Sequence, residues 1–387
     1  MKPKIRIKGF TGEWETHSFK EKEFTIIAGG DIDRTLIKEQ GKYPVIANAL
    51  SNDGIVGYYD NYYRIKAPAV SVTGRGEIGY AQARKTSFTP VVRLLSIDSP
   101  HDVDFLANAI NCHKVIQEST GVPQLTTEKL SQYEIAFPKD IEEEKAIGNY
   151  ILSIDSLIQS TAKKIESLKQ VKAASLQAMF PQERETTPRI RFKGFKGEWE
   201  KKSLEECLTI NNERNLNNVY GINDVLSVSD EVGVVNQIKL LGRSYAGKSV
   251  SNYRVLKNNQ IVYTKSPLKS KPYGIVKVNK GSVGIVSVLY AVYDTNENVN
   301  PDYIHYYFEP THRINNYLLP LINKGAKNTM NISDEMALRG YIWIPSFDEQ
   351  KKIADYLQVL DSQITLHSQQ LEKLKQIKSA CLDNMFV

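Results

Sequence analysis

Cysteine is scarce in this chain. Cys112, Cys207 and Cys381 stand far apart among 387 residues. So few thiols, unclustered, build neither a disulfide framework nor a zinc site, and they are expected to be buried or idle. The six histidines are scattered, and none pairs at ligand spacing along the sequence. No apolar run approaches the roughly 20 residues that a membrane-spanning helix needs. The opening Met1-Lys2-Pro3-Lys4-Ile5-Arg6 lacks the apolar core of a signal peptide. The expected compartment is therefore the cytoplasm, with no membrane partner. Carboxylates are not gathered as a catalytic metal would require. The one dense acidic run, Glu142-Glu143-Glu144, falls at a helix start, where negative charge complements the dipole. A large excess of charge is missing too. A net charge of +6 and a pI of about 8.9 permit a polyanionic partner without demanding one.

What the chain has is a duplication. Pro3-Lys4-Ile5-Arg6-Ile7-Lys8-Gly9-Phe10-Thr11-Gly12-Glu13-Trp14-Glu15 returns as Pro188-Arg189-Ile190-Arg191-Phe192-Lys193-Gly194-Phe195-Lys196-Gly197-Glu198-Trp199-Glu200, identical at ten of thirteen positions. Glu166-Ser167-Leu168-Lys169-Gln170 likewise matches Glu372-Lys373-Leu374-Lys375-Gln376. Each half reads as an arm (3–21, 188–206), a divergent insert (22–140, 207–345) and a long helix. Four blocks follow: 1–140, 141–187, 188–345 and 346–387. Trp14 and Trp199 are kept while the inserts diverge, so both are expected to pack onto the frame.

The inserts are rich in Gly, Asn, Tyr and β-branched residues. Apolar runs at 69–72 and 283–288 predict strands, and turns such as Asn52-Asp53-Gly54 break them. Short helices are expected near Asp104 and from Asn300-Pro301-Asp302. These are mixed α/β domains dominated by strands and loops. The frame helices are plainer. Ile147, Ile151, Ile154, Ile158, Thr161, Ile165 and Leu168 are spaced alternately by four and three. Ile353, Leu357, Leu360, Ile364, His367, Leu371 and Leu374 repeat that spacing. The mean period of 3.5 is a coiled-coil seam. The two helices, each about 50 Å long at 1.5 Å per residue, are most economically paired with each other. Thr161 and His367 share a repeat position, and a polar layer between them would fix the register; alternatively His367 simply reaches solvent.

Two motifs mimic enzyme chemistry. Gly74-Arg75-Gly76-Glu77-Ile78-Gly79 fits a dinucleotide loop, with Asp98 downstream, but Pro90 leaves no room for the required helix. Gly281-Ser282-Val283-Gly284 aligns with its last four residues and leads into a strand, so both are read as strand turns. Asn300-Pro301-Asp302-Tyr303 is similar to the Asn-Pro-Pro-Tyr loop of amino-methyltransferases. The second proline is missing, no glycine-rich S-adenosylmethionine loop appears, and Asn as N-cap with Pro at the first helical position makes a better helix start. No catalytic constellation emerges.

The frame carries a family resemblance. Ile344-Pro345 is followed by Glu349-Gln350-Lys351-Lys352-Ile353-Ala354-Asp355-Tyr356-Leu357 and the seam; Phe137-Pro138 is followed by Glu143-Glu144-Lys145-Ala146-Ile147. Over the whole chain this resembles the specificity subunit of type I restriction–modification systems. Glu144 departs from the family's usual Gln, which stands at Gln350. The resemblance implies an α+β fold: two pseudo-symmetric mixed α/β target recognition domains separated by a pair of long antiparallel coiled-coil helices. Each domain would read one half of a split, asymmetric site in double-stranded DNA, with the helices setting the spacer. Two modification subunits would bring S-adenosylmethionine and the adenine-methylating chemistry, and restriction subunits would add nuclease and translocase activity. This chain would hold no cofactor or metal and catalyse nothing. The competing readings are a self-contained methyltransferase or nuclease, which lacks its motifs here, and a protein-only scaffold, which leaves the inserts without a task.

DNA contact calls for Lys and Arg at phosphates and for Arg, Lys, Asn and Gln at base edges. The candidates in the second insert are Lys265, Lys269, Lys271 and Tyr273 in a proline-braced loop, and then Lys324, Lys327 and Asn328. In the first insert they are Arg75 at a turn tip, Arg84-Lys85, Lys42-Tyr43, and the amides Asn48 and Asn52. For any single lysine a solvated surface charge is as good a reading.

Overall fold

A computed structural model describes residues 1–113, 123–182, 185–266, 270–324 and 330–387. The first half runs β1 (Glu15–Ser18), β2 (Thr25–Ala28), β3 (Tyr43–Ile46), β4 (Ile55–Tyr59), β5 (Ala69–Thr73), β6 (Ala81–Arg84), β7 (Thr89–Pro90) and β8 (Leu94–Asp98). There follow α1 (Val103–Cys112), α2 (Thr127–Leu130), β9 (Glu134–Phe137) and the long α3 (Ile141–Ala178). The second half continues with β10 (Glu200–Ser203), α4 (Leu204–Cys207), β11 (Leu208–Ile210), β12 (Leu226–Ser229), β13 (Gly233–Asn236), α5 (Gln237–Leu241), β14 (Arg254–Leu256), β15 (Ile261–Thr264), β16 (Val276–Val278), β17 (Gly284–Val286) and β18 (Tyr290–Thr295). It closes with α6 (Pro301–Phe308), α7 (Thr311–Leu318), β19 (Asn323–Lys324), β20 (Met330–Asn331), β21 (Tyr341–Ile344) and α8 (Phe347–Met385). The chain forms two compact units, Met1–Lys164 with His367–Val387, and Ile165–Leu366. No helix among the described residues is long and apolar enough to cross a membrane.

The first unit is built on an antiparallel sheet of order β2-β8-β5-β6. Its central strands are buried except at Asp98, with Val70, Val72, Leu95 and Ile97 sharing a core with Phe105 and Leu106 of α1. A second sheet of order β4-β3-β7 packs Ile46, Phe88 and Leu94 into a smaller core. The second unit repeats the scheme. Its sheet has the order β11-β18-β15-β16, also antiparallel, and β12–β13 and β14–β17 pair beside it. The duplication thus reaches into the inserts, where sequence no longer reveals it. The hydrophobic pattern of a buried strand survives substitution among Val, Ile and Leu.

The arm closes each unit in the same way. β1 pairs with β9, and β10 with β21. Trp14 and Trp199 are each 3% exposed, Trp14 edge-on to Phe105 and Trp199 edge-on to Tyr303. Arg6 grips Glu143 through Nε at 2.7 Å and Nη2 at 2.6 Å; Arg191 grips Glu349 at 2.6 and 2.7 Å. Both glutamates are 1% exposed. The next residue ties the helix start to the insert. Glu144 Oε2 accepts the Asp102 N–H at 2.9 Å and Gln350 Oε1 accepts the Asn300 N–H at 2.9 Å, each at the N-cap of a short helix. The amide of Gln350 also donates to the Asn298 and Pro345 carbonyls. Glu144 has no such donor, and His101 fills the gap with Nδ1 at 2.8 Å from its Oε1. Asn300 caps α6 with Pro301 at its first position.

Each unit contains its own antiparallel helix contact. In the first, Asp155 meets Lys378 at 2.6 Å, Tyr150 faces Cys381, and Ile147, Ile151 and Ile154 share a core with Cys381 and Met385. In the second, Lys172 meets Asp361 at 2.7 Å, Ser175 lies 3.4 Å from Tyr356, and Leu168 and Leu176 share a core with Ile353, Leu357 and Leu360. Ile165 is buried, whereas Ile158, Ile364 and Leu371 are half-buried. Thr161 and His367 do not form the expected layer. Thr161 is buried, but His367 turns to Gln370 of its own helix at 3.3 Å, and the two share no hydrogen bond. A register that sets Asp155 against Lys378 carries residue 161 to the level of residue 372, beyond His367.

The glycine pattern is a hairpin turn between β5 and β6, as expected, but its counterpart is misplaced by sequence. Residues 281–283 lie between β16 and β17, with Gly284 opening β17; by strand order the connection equivalent to 74–79 is the one between β15 and β16. The two turns share a clamp. Thr73 Oγ1 accepts the Tyr80 N–H at 3.0 Å after Gly79 (φ 82°), and Thr264 Oγ1 accepts the Ile275 N–H at 3.0 Å after Gly274 (φ 83°). Pairing of the central strands, which sequence similarity does not report, decides the correspondence. Cys207 and Cys381 are buried and Cys112 is exposed, so one of the three thiols is not hidden. Burial pushes the Cys207 thiol up to about 11, well away from reactivity.

Candidate nucleic-acid interface

Several of the candidate cations and amides already have partners within the fold. Asn48 donates to Val92 O at 3.1 Å and accepts the Gly74 N–H at 2.8 Å, so its amide fastens the β5–β6 turn. Asn52 sits at φ 50° and donates to Ile55 O, building its own turn. Arg84 Nε donates to Ser71 Oγ at 2.8 Å, and burial lowers its pKa. Lys85 pairs with Asp104 at 2.8 Å. Each of these four residues thus has a partner within the fold, while Asn52 and Lys85 remain exposed.

Lys265 and Lys271 of the second unit are engaged likewise. Lys265 lies 2.6 Å from Asp334, which also receives Arg254 at 2.5 Å. Lys271 is 7% exposed and donates to the Glu309 carbonyl at 2.5 Å, with Asp230 at 3.9 Å. It belongs to a partly buried charged cluster in which Lys172 meets Glu309 at 2.5 Å and Lys277 lies 3.6 Å from Asp230. Within that cluster His305 is pushed down to about 3, first by burial and then by Lys277. Tyr273 is half-buried against the core, its carbonyl accepting the Tyr263 hydroxyl at 2.8 Å. The burial of Lys271 runs against its reading as a surface contact. Lys324 lies in β19, and Lys269, Lys327 and Asn328 lie outside the described residues.

Other residues stay in reach of solvent. Arg75 is exposed at the tip of its turn and has no carboxylate partner among the described residues. Lys42 is exposed, 5.1 Å above the Tyr43 ring. Tyr43 in turn lies 4.9 Å from Tyr63, and Tyr62 lies 5.8 Å from Tyr59. Tyr62 and Tyr63, 55% and 40% exposed, were not singled out from sequence. The second unit has a comparable spot, also missed: the Arg243 guanidinium stacks 4.7 Å over Tyr245, itself 62% exposed, with Lys239 and Lys248 nearby in sequence and exposed. The available signal was an aromatic beside an arginine between two strands, weaker than a run of lysines. A further cluster joins residues close together in the sequence: His17 Nδ1 lies 3.0 Å from Glu21 and 2.9 Å from Glu23. Glu21 also accepts the Ser18 N–H at 2.8 Å, so this group holds the β1–β2 turn.

Two sheets of the same order, with an exposed aromatic and basic spot elsewhere in each unit, define a duplicated scaffold. The family model "Type I restriction modification DNA specificity domain" matches twice, over residues 12–170 and 196–376, and the chain belongs to that family. It is 29% identical over 131 residues to a protein described as a putative type I specificity subunit from Mycoplasma pneumoniae; the match covers 33% of this chain and 36% of that one. Among solved structures, the type I restriction–modification S subunit from M. genitalium aligns over 100% of this chain and 99% of its own, with 14% identity and a TM-score of 0.64.

Proposed function

We propose that this chain gives a type I restriction–modification complex its DNA sequence specificity. The first unit reads one half of a split, asymmetric site and the second unit reads the other. The long helices set the spacer and, with the repeated arms, dock two modification subunits. Those partners supply S-adenosylmethionine and methylate adenine; restriction subunits supply the nuclease and translocase. The chain itself performs no chemistry and holds no cofactor.

The observation that carries this reading is the pair of four-stranded sheets with one order and different outer loops. A palindromic target would be served by two identical inserts. Two inserts with the same strands and different exposed side chains suit two unlike half-sites. The membership of the family supports the same reading. The self-contained enzyme has no support in the site: the Asn-Pro-Asp-Tyr segment is a capped helix start and the glycine motif is a hairpin turn.

Methylated-base sequencing of the host genome, with and without this gene, tests the proposal. One split motif should be present with the gene and absent on deletion. An unchanged methylation pattern would remove the proposed role.

A further inference from the structure

The two units put an exposed tyrosine beside an arginine at the same point of the fold. In the first unit, the chain leaves the β3–β4 hairpin, passes through 60–64, and returns at Ile65, whose N–H and C=O both pair with Phe88 just before β7. In the second, it leaves the β12–β13 hairpin, passes through 237–253, and returns as β14, which pairs with β17. The parallel contacts agree: β3 runs parallel to β7, and Val225 bridges Ile285 of β17 in parallel. These return loops differ in length and sequence while their roots coincide.

Their side chains, like that of Arg75, also differ from the many basic groups that are paired with acids. Arg64 and Arg243 are exposed, and neither has a carboxylate partner among the described residues. Lys38, Lys85, Lys257, Lys265 and Lys280, by contrast, are all neutralised by acids. Arg64 rests over Gly30, where a Cβ would lie 2.2 Å from its Nη1, so a glycine makes its seat. Tyr62 and Tyr63 are propped by Tyr59 and Tyr43, and Tyr245 is stacked by Arg243. Ordering these rings in the free protein lowers the entropy lost on binding. An unpaired guanidinium keeps its fork for the O6 and N7 acceptors of guanine, and a flat ring beside it offers apolar contact to a base or sugar.

We infer that the return loops at 60–64 and 237–253 are the base-reading elements of the two units, with Arg64 and Arg243 as their specificity-determining residues for duplex DNA. This rests on the proposed reading of half-sites. The test uses the purified full chain and a randomised duplex library, sequencing the duplexes retained. The unaltered chain should enrich a two-part motif. Arg64→Ala should lose discrimination by about 5- to 150-fold at a position in one half only, and Arg243→Ala in the other half only. Arg64→Lys should keep the salt dependence of binding while losing the same discrimination, because a lysine retains the charge without the fork. Unchanged melting temperatures would separate these effects from misfolding. If both alanine variants enriched the unaltered motif in full, the loop assignment would fall and the half-site reading would stand. If the unaltered chain enriched no motif, both would fall.

Discussion

Arg6 and Arg191 each lay a forked guanidinium on a glutamate that is 1% exposed, and each also reaches the carbonyl of the arm's second glycine, Gly12 or Gly197, at 2.5 Å. Removing the arginine leaves a charge buried without its partner, which costs about 3–5 kcal/mol. Arg6→Ala and Arg191→Ala should therefore lower stability by that order, as measured by denaturant unfolding of the whole chain. The repeat announced both arginines, but it was silent on their partners, since Glu143 lies 137 residues from Arg6. A second expectation concerns His305. Its folded pKa of about 3 lies below the ordinary 6.5, so it is held neutral by burial and by Lys277. The unfolded chain takes up the proton first. Stability from this group is complete above pH 6.5 and is lost as pH falls toward 3, by about 1.4 kcal/mol per pH unit. Unfolding curves between pH 6 and 4 should show that slope, and His305→Asn, which keeps a donor for the Val276 carbonyl 3.1 Å away, should flatten it.

At the scale of elements, the seams and helix caps were open to reading because they are local. Period and capping need only neighbours four residues away, and α3, α6 and α8 start where proline, asparagine and acidic residues say they should. The register between helices was not local, which is why Thr161 and His367 looked paired and are not. Lysines were misread for the same reason: Lys271 shows its burial only when Glu309 and Asp230 close over it. The β15–β16 turn offers a check on what holds such loops. Gly274 has φ 83°, and an added Cβ would lie 1.9 Å from the Thr264 carbonyl oxygen. Gly274→Ala is expected to destabilise the second unit by more than about 1 kcal/mol through strain alone. Thr264→Val removes the acceptor of a buried N–H and should cost about 1–3 kcal/mol. Calorimetric melting of both variants would decide this. Losses below about 0.5 kcal/mol would mean the turn is held elsewhere.

At the scale of the whole molecule, the duplication separates what is constant from what varies. Arms, helix starts and central sheets obey one pattern in both halves, so a change confined to one insert leaves the other half's contacts intact. Sites far apart with no shared partners contribute independently. This independence makes a strong demand on the proposed function. Replacing residues 207–345 by the insert of another family member, joined at the Ser203–Leu208 and Ile344–Phe347 ends of the frame, should change one half of the methylated motif in the host and leave the other half and the spacer as they were. The spacer should hold because α3 and α8 are untouched. A motif altered in both halves would mean that the inserts read DNA jointly, and one altered in neither would move recognition from the inserts to the frame.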